Sequence, residues 1–170
     1  MATRYITTTG NDASGDGLTV ATAWLTLAKA LATTSAGDTI SVGAGTFTFT
    51  TASFTDRTIT GATIAVSDLL PTTIFDGAAA NVAWSFTTGT VNLNNIMIQN
   101  VAKTGAGTGV ITNTAGNANI VQNWANCVFR TITLSGVSTS VFRMATVTPT
   151  LTMTNCLFIE IPVTGQNAGV

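Results

Sequence analysis

The chain has 170 residues and a mass of 17.4 kDa, one domain's worth, with 45% hydrophobic residues, 8% charged residues and a net charge of −1. That balance gives no basic footprint for nucleic acid and no polybasic patch for a membrane surface, and no apolar run approaches the ~18 residues that span a bilayer. Thr is the commonest residue and Glu and Lys are nearly absent, a composition that suits pleated strands over helices.

Met1-Ala2-Thr3-Arg4 passes at once into the strand-like Tyr5-Ile6-Thr7, which reads as a chain without a signal peptide. Gly10 to Gly17 follows as a Gly/Asn/Asp turn segment. Its Asp12 and Asp16 lack the spacing and the closing Glu of an EF-hand, so turn chemistry explains them better than calcium. Trp24, Leu27, Ala28 and Leu31 then fall at i, i+3, i+4 and i+7, predicting an amphipathic helix over about 22–35 with Thr22 as N-cap and Gly37 as stop. Asp38 to Phe47 reads as strand, glycine turn, strand. One helix followed only by strands is the pattern of a plug over the open end of a sheet stack. Residues 58–64 and 72–77 supply further strands, and Pro71 confines its own segment to an edge or turn.

Three stretches carry a family likeness: Tyr5-Ile-Thr-Thr-Thr-Gly-Asn-Asp, Trp24-Leu-Thr-Leu-Ala-Lys-Ala-Leu and Ala36-Gly-Asp-Thr-Ile-Ser-Val-Gly-Ala-Gly-Thr-Phe. They resemble the N-terminal cap and first coil of right-handed parallel β-helix proteins of the pectate-lyase-like superfamily. Thr73-Ile-Phe-Asp-Gly, Trp84-Ser-Phe and Val91-Asn-Leu-Asn-Asn-Ile-Met-Ile-Gln-Asn are similar to its later coils. The likeness runs over nearly the whole chain and is specific for fold. It is weak for activity, because the superfamily includes lyases, hydrolases, adhesins and phage spikes.

From Val91 onward the chain repeats itself. Asn95-Ile-Met-Ile-Gln-Asn-Val aligns with Asn126-Cys-Val-Phe-Arg-Thr-Ile, 31 residues later, and with Asn155-Cys-Leu-Phe-Ile-Glu-Ile, 29 residues after that; Val110, Val141 and Val170 keep the same steps. A fixed period in this range marks stacked units, none of which buries its apolar face alone. The steps stack Leu93 on Trp124 and Met153, Ile98 on Phe129 and Phe158, and Val101 on Ile132 and Ile161 as inward columns. Asn95, Asn126 and Asn155 form a bend column, where Asn tolerates the left-handed conformation and can bond its own copy in the next coil. Cys127 and Cys156 fall in the inward column of Ile96. Parallel strands lie about 4.8 Å apart, so a disulfide is within reach, but inward Cys behaves as a small hydrophobe and a pair of buried free thiols is the preferred reading.

Chemistry is sparse. With no His, the usual general base and the commonest zinc ligand are missing. The carboxylates are Asp12, Asp16, Asp38, Asp56, Asp68, Asp76 and Glu160, and none recurs at the repeat spacing as paired acids across one groove require. Enzymes of the superfamily use clustered Asp, or calcium-binding acids with an Arg or Lys base, and neither set is matched residue by residue. Arg130 and Glu160 are expected as outward diagonal neighbours, an ordinary surface pair. Lys103 and Arg143 read as solvated, Trp24 and Trp124 as cap and core, and Trp84 is left unplaced.

The expected fold is all-β: a right-handed, single-stranded parallel β-helix, a three-sheet solenoid with a short N-terminal capping helix. It is one domain over 1–170, with 1–37 as cap and 38–170 as coils that end uncapped. The expected role is a non-enzymatic structural protein of a virion, a bacteriophage capsid decoration protein or a short spike or fibre module. It would pair with itself as a homo-oligomer, a trimer being one option, and with other virion proteins, without nucleic acid, membrane, cofactor, metal or catalytic residue. Two alternatives stand beside it: an extracellular adhesin or filament subunit at the cell surface, stacking through the open end, and a carbohydrate-active enzyme or weakly sugar-binding β-helix.

Overall fold

The computed structural model describes residues 1–64, 70–113, 120–136, 139–144 and 149–164. It is a parallel β-solenoid with one short helix near the N terminus. The strands are β1 (Thr3–Ile6), β2 (Thr39–Val42), β3 (Gly45–Thr48), β4 (Ala52–Thr60), β5 (Thr73–Ala80), β6 (Trp84–Asn94), β7 (Ile96–Thr104) and β8 (Gly109–Asn113), then β9 (Val121–Ala125), β10 (Val128–Ser135), β11 (Ser140–Arg143), β12 (Thr150–Thr154), β13 (Leu157–Ile159) and β14 (Val163–Thr164). Every pairing among them is parallel.

Side chains face three ways. The first face is built from β1, β2, the C-terminal halves of β4 and β6, then β9 and β12. The second runs β3, β5, β7, β10, β13, and the third joins the N-terminal halves of β4 and β6 to β8 and β11. Hydrogen bonding alone divides the strands into an eight-stranded and a six-stranded sheet. The reason is local: β4 and β6 turn the corner between third and first faces without breaking, at Asp56 (φ 23°) and Gly89 (φ 76°). A Cβ on Gly89 would stand 2.8 Å from that of Asp56, so the corner needs glycine for space as well as for φ.

The bore is filled by aromatic columns. Phe47, Phe75, Ile98, Phe129 and Phe158 stack in register on the second face, with the Phe129 and Phe158 rings 5.1 Å apart and nearly parallel. Trp84, which sequence left unplaced, is fully buried among Phe49, Phe54 and Phe75 at 4.9 to 5.1 Å. Trp124 centres a second cluster with Phe129 and Phe142. Offset and edge-on ring pairs of this kind add about 0.5–1.5 kcal/mol each beyond area burial.

The helix is shorter than its periodicity implied. Helix α1 spans Leu27–Thr33, with Thr26 as N-cap accepting from the Lys29 amide and Thr34 as C-cap, so the expectation of a helix over 22–35 capped by Thr22 is corrected. Trp24 cannot be helical, because its backbone pairs with β1: Trp24 N–H donates to Tyr5 O and Thr7 N–H to Trp24 O, at 2.9 and 3.0 Å. Asp12 then takes the Leu25 and Thr26 amides that would otherwise be unsatisfied. The helix buries Leu27, Ala30 and Thr34 against the first coil, while Ala28 stays exposed. No helix among the described residues is long and apolar enough to cross a membrane.

Candidate functional site

The corner between first and second faces is a column of Asn. Asn95, Asn126 and Asn155 hold φ of 56°, 53° and 53°; Asn126 Nδ2 donates to Asn95 Oδ1 at 3.0 Å and Asn155 Nδ2 to Asn126 Oδ1 at 3.2 Å. Beside it, Ile74, Met97, Val128 and Leu157 form an outward column on the second face. Outward position does not mean exposure: Met97 and Val128 are buried, and Leu157 is 47% exposed. Thr63, Ile64 and Pro71 line, together with Val128, Leu157 and the three Asn, a groove of about 500 Å³ along the Asn ladder. The segment after β4 leaves it at Gly61, where a Cβ would strike the Asn95 carbonyl oxygen at 2.1 Å. The groove's lining carries amides, a hydroxyl and aliphatic side chains but no charge. It can hydrogen-bond and pack an extended ligand, and among the described residues its lining contains neither an acid nor a base.

A second left-handed column lies five residues further on: Asn100, Thr131 and Glu160, with φ of 52°, 51° and 53°. The same repeat steps relate these three positions, but their side chains share no chemistry, which is why the sequence did not show the bend. Thr131 Oγ1 donates to Glu160 Oε2 at 2.9 Å, and Arg130 Nε lies 3.7 Å from that oxygen, both ends of the ion pair being well exposed. Such a pair contributes about 0–1 kcal/mol.

The remaining described acids hold turns. Burial pushes Asp12 up, but hydrogen bonds from the Thr26 hydroxyl and the Leu25 and Thr26 amides outweigh it and leave its pKa below the usual carboxylate value. In the same way Gln99, the Ala78 amide and Asn100 hold Asp76 low against its burial. The Thr22 hydroxyl and Leu18 amide lower Asp16, and the Ala2 and Ser35 amides lower Asp38. Asp56 accepts from the Thr90 amide at its corner. Asp68 and residues 165–170, including Val170, where an open end was expected, lie outside the described residues. Among the described residues, no group of three His, Cys, Asp or Glu side chains comes together to hold a metal ion.

In fold, the chain is similar to an alginate lyase. The solved structure described as "Structure of PL6 family alginate lyase AlyGC" superposes with a TM-score of 0.67 over 95% of this chain, at 16% identity. This chain spans 20% of the length of that one. No protein-family model and no curated protein matches the sequence.

Three buried polar features escaped the sequence reading. Lys103, expected in solvent, is only 8% exposed, and burial draws its ammonium below the ordinary value. It occupies the column of Leu134 and Val163, positions that face inward once the Asn100 corner has been turned. Arg57 faces inward beside Val91 in register and donates from Nη2 to Thr34 O at 2.6 Å, tying the C-terminal end of α1 to the coils. Gln122 takes the inward place between Val91 and Leu151, accepting from Trp124 Nε1 at 3.1 Å and donating to Asn113. The 31 and 29 steps applied to Val91 would have located Gln122.

Cys127 and Cys156 are both free thiols. Cys127 is buried, and burial pushes its thiol up to about 12. Its Sγ lies 3.3 Å from Ala125 O and 3.5 Å from Leu93 O, the contacts of a small inward residue and not of an activated nucleophile.

Proposed function

We propose that this β-solenoid is a non-enzymatic structural module of a virion, a bacteriophage capsid decoration protein or a short spike or fibre segment, that works as a homo-oligomer. The observation that supports this reading is the use of the acids among the described residues. Asp12, Asp16, Asp38, Asp56, Asp76 and Glu160 each hold a turn, a corner or the cap by accepting from neighbouring donors. Glycan-cleaving chemistry on two carboxylates needs them facing each other and free to exchange protons.

A second reading, a sugar-binding or carbohydrate-active β-helix, draws on the groove beside the Asn column and on the likeness to a protein described as an alginate lyase. Native mass measurement together with incubation on alginate and neutral polysaccharides separates the two. A defined oligomer that leaves the polymers intact fits the structural role. A monomer that generates unsaturated or reducing ends sinks it.

A further inference from the structure

We infer that Cys127 and Cys156 are an oxidative modification site: a dithiol that a small-molecule disulfide converts into a covalent tie between successive coils. The chain has two cysteines, so this pair is the one choice for a disulfide within it. Its two members lie beside each other in adjacent coils. On one side of the pair Asn155 Nδ2 donates to Asn126 Oδ1 at 3.2 Å; on the other, Val128 and Leu157 are in register and the Leu157 amide donates to Cys127 O at 2.9 Å. Neighbouring parallel strands lie about 4.8 Å apart, inside the roughly 4.4–6.8 Å Cα range that a disulfide bridges.

The thiols also point the same way. Cys127 belongs to the buried core, and Cys156 packs against it. Each thiol lies against the carbonyl two residues earlier and against a carbonyl of the coil before. Cys127 Sγ is 3.3 Å from Ala125 O and 3.5 Å from Leu93 O; Cys156 Sγ is 3.6 Å from Thr154 O and 3.5 Å from Trp124 O. Cys156 therefore reaches back across the gap toward the coil that carries Cys127. Side chains in register keep close to the strand spacing of about 4.8 Å, whereas bonded cysteines need a Cβ separation of about 3.5–4.5 Å. Closure thus draws the two coils slightly together, and the resulting strain makes the bond reducible.

Cys156 is the less buried thiol and reacts first. Its thiolate attacks one sulfur of the small disulfide, the other sulfur leaves as a thiolate, and a mixed disulfide stands on Cys156. Cys127 then gives up its proton and attacks Cys156 Sγ; the mixed bond breaks and the second small thiolate leaves. Two protein thiols are oxidised, one small disulfide is reduced to two thiols, and the two protons end on the leaving groups. Burial holds Cys127 protonated, its thiol pushed up to about 12, so the second step is the slow one. Each coil of a solenoid contacts only its neighbours, so the tie opposes detachment of the coil that carries β12 and β13. The inference does not rest on the role proposed above.

The test is incubation of the folded 170-residue chain with oxidised glutathione, acid quenching at intervals, and mass mapping without reduction. A glutathione adduct on Cys156 is expected first, then its replacement by a Cys127–Cys156 linkage within one chain. In Cys127→Ser the reaction should stop at the Cys156 adduct, and Cys156→Ser should stay unmodified while folded; circular dichroism melts establish that each variant folds. Amide hydrogen exchange in Thr150–Thr154 and Leu157–Ile159 should slow on closure and recover on reduction with dithiothreitol. The unaltered chain decides the question even where a variant fails to fold. A Cys156 adduct that persists, a linkage between two chains in place of one within a chain, a linkage that forms only in urea, exchange that closure leaves unchanged, or a chain left unmodified overturns the inference.

Discussion

Asn126 shows how one residue type serves two purposes at a corner. Its φ of 53° is a conformation that costs most side chains about 1–2 kcal/mol, and its amide bonds both neighbours in the column. Asn126→Ala is therefore expected to lower stability by about 2–3 kcal/mol, and Asn126→Gly by only about 1 kcal/mol, because glycine restores the backbone but not the ladder. Urea unfolding of the two variants checks the difference, and equal losses would mean that strain plays no part. Cys127 gives a pH prediction. Its folded pKa, about 12, lies above the ordinary 9.0, so the folded state keeps a proton that the unfolded state has released over that interval. Its contribution is complete below pH 9 and falls as pH rises toward 12. In the folded protein at pH 8, alkylation followed by mass mapping should find Cys156 modified before Cys127.

At the scale of elements, α1 is held at each end by one side-chain hydrogen bond. Thr26 satisfies the Lys29 amide at the start of α1, and Arg57 satisfies the Thr34 carbonyl at its end, where a cation also complements the helix dipole. Thr26→Ala is expected to cost about 1 kcal/mol. Arg57→Ala should cost roughly 2–3 kcal/mol, since it leaves that carbonyl and the space around it unfilled. Hydrogen exchange would register both losses first in Leu27–Thr33. The turn-holding acids act together. Asp12, Asp16, Asp38 and Asp76 all titrate below their ordinary 3.8, so the folded state holds fewer protons than the unfolded one as pH approaches that value. Their contribution is present above pH 3.8 and is lost as pH falls below it, and thermal melts between pH 5 and 2 should show the decline, with Asp76→Asn flattening it.

The whole molecule is a one-dimensional stack, and its legibility follows from that. Asn95, Asn126 and Asn155, or Ile98, Phe129 and Phe158, sit in register because neighbouring coils add a fixed number of residues, so a period in the letters becomes a column in space. The sequence by itself therefore determined the parallel coils, the Asn corner, the inward aromatic columns and the place of the cap. It could not determine what lies across the surface of a coil. Lys103 faces inward only because the chain turns at Asn100. Val128 shares its outward groove with Ile64 and Pro71, which no repeat step relates to it, and Trp24 is extended only because Tyr5 and Thr7 take its backbone bonds. Those outcomes depend on segments distant in sequence and unrelated by the repeat, whose approach is set by burial and hydrogen bonding in three dimensions and leaves no periodic trace in the chain.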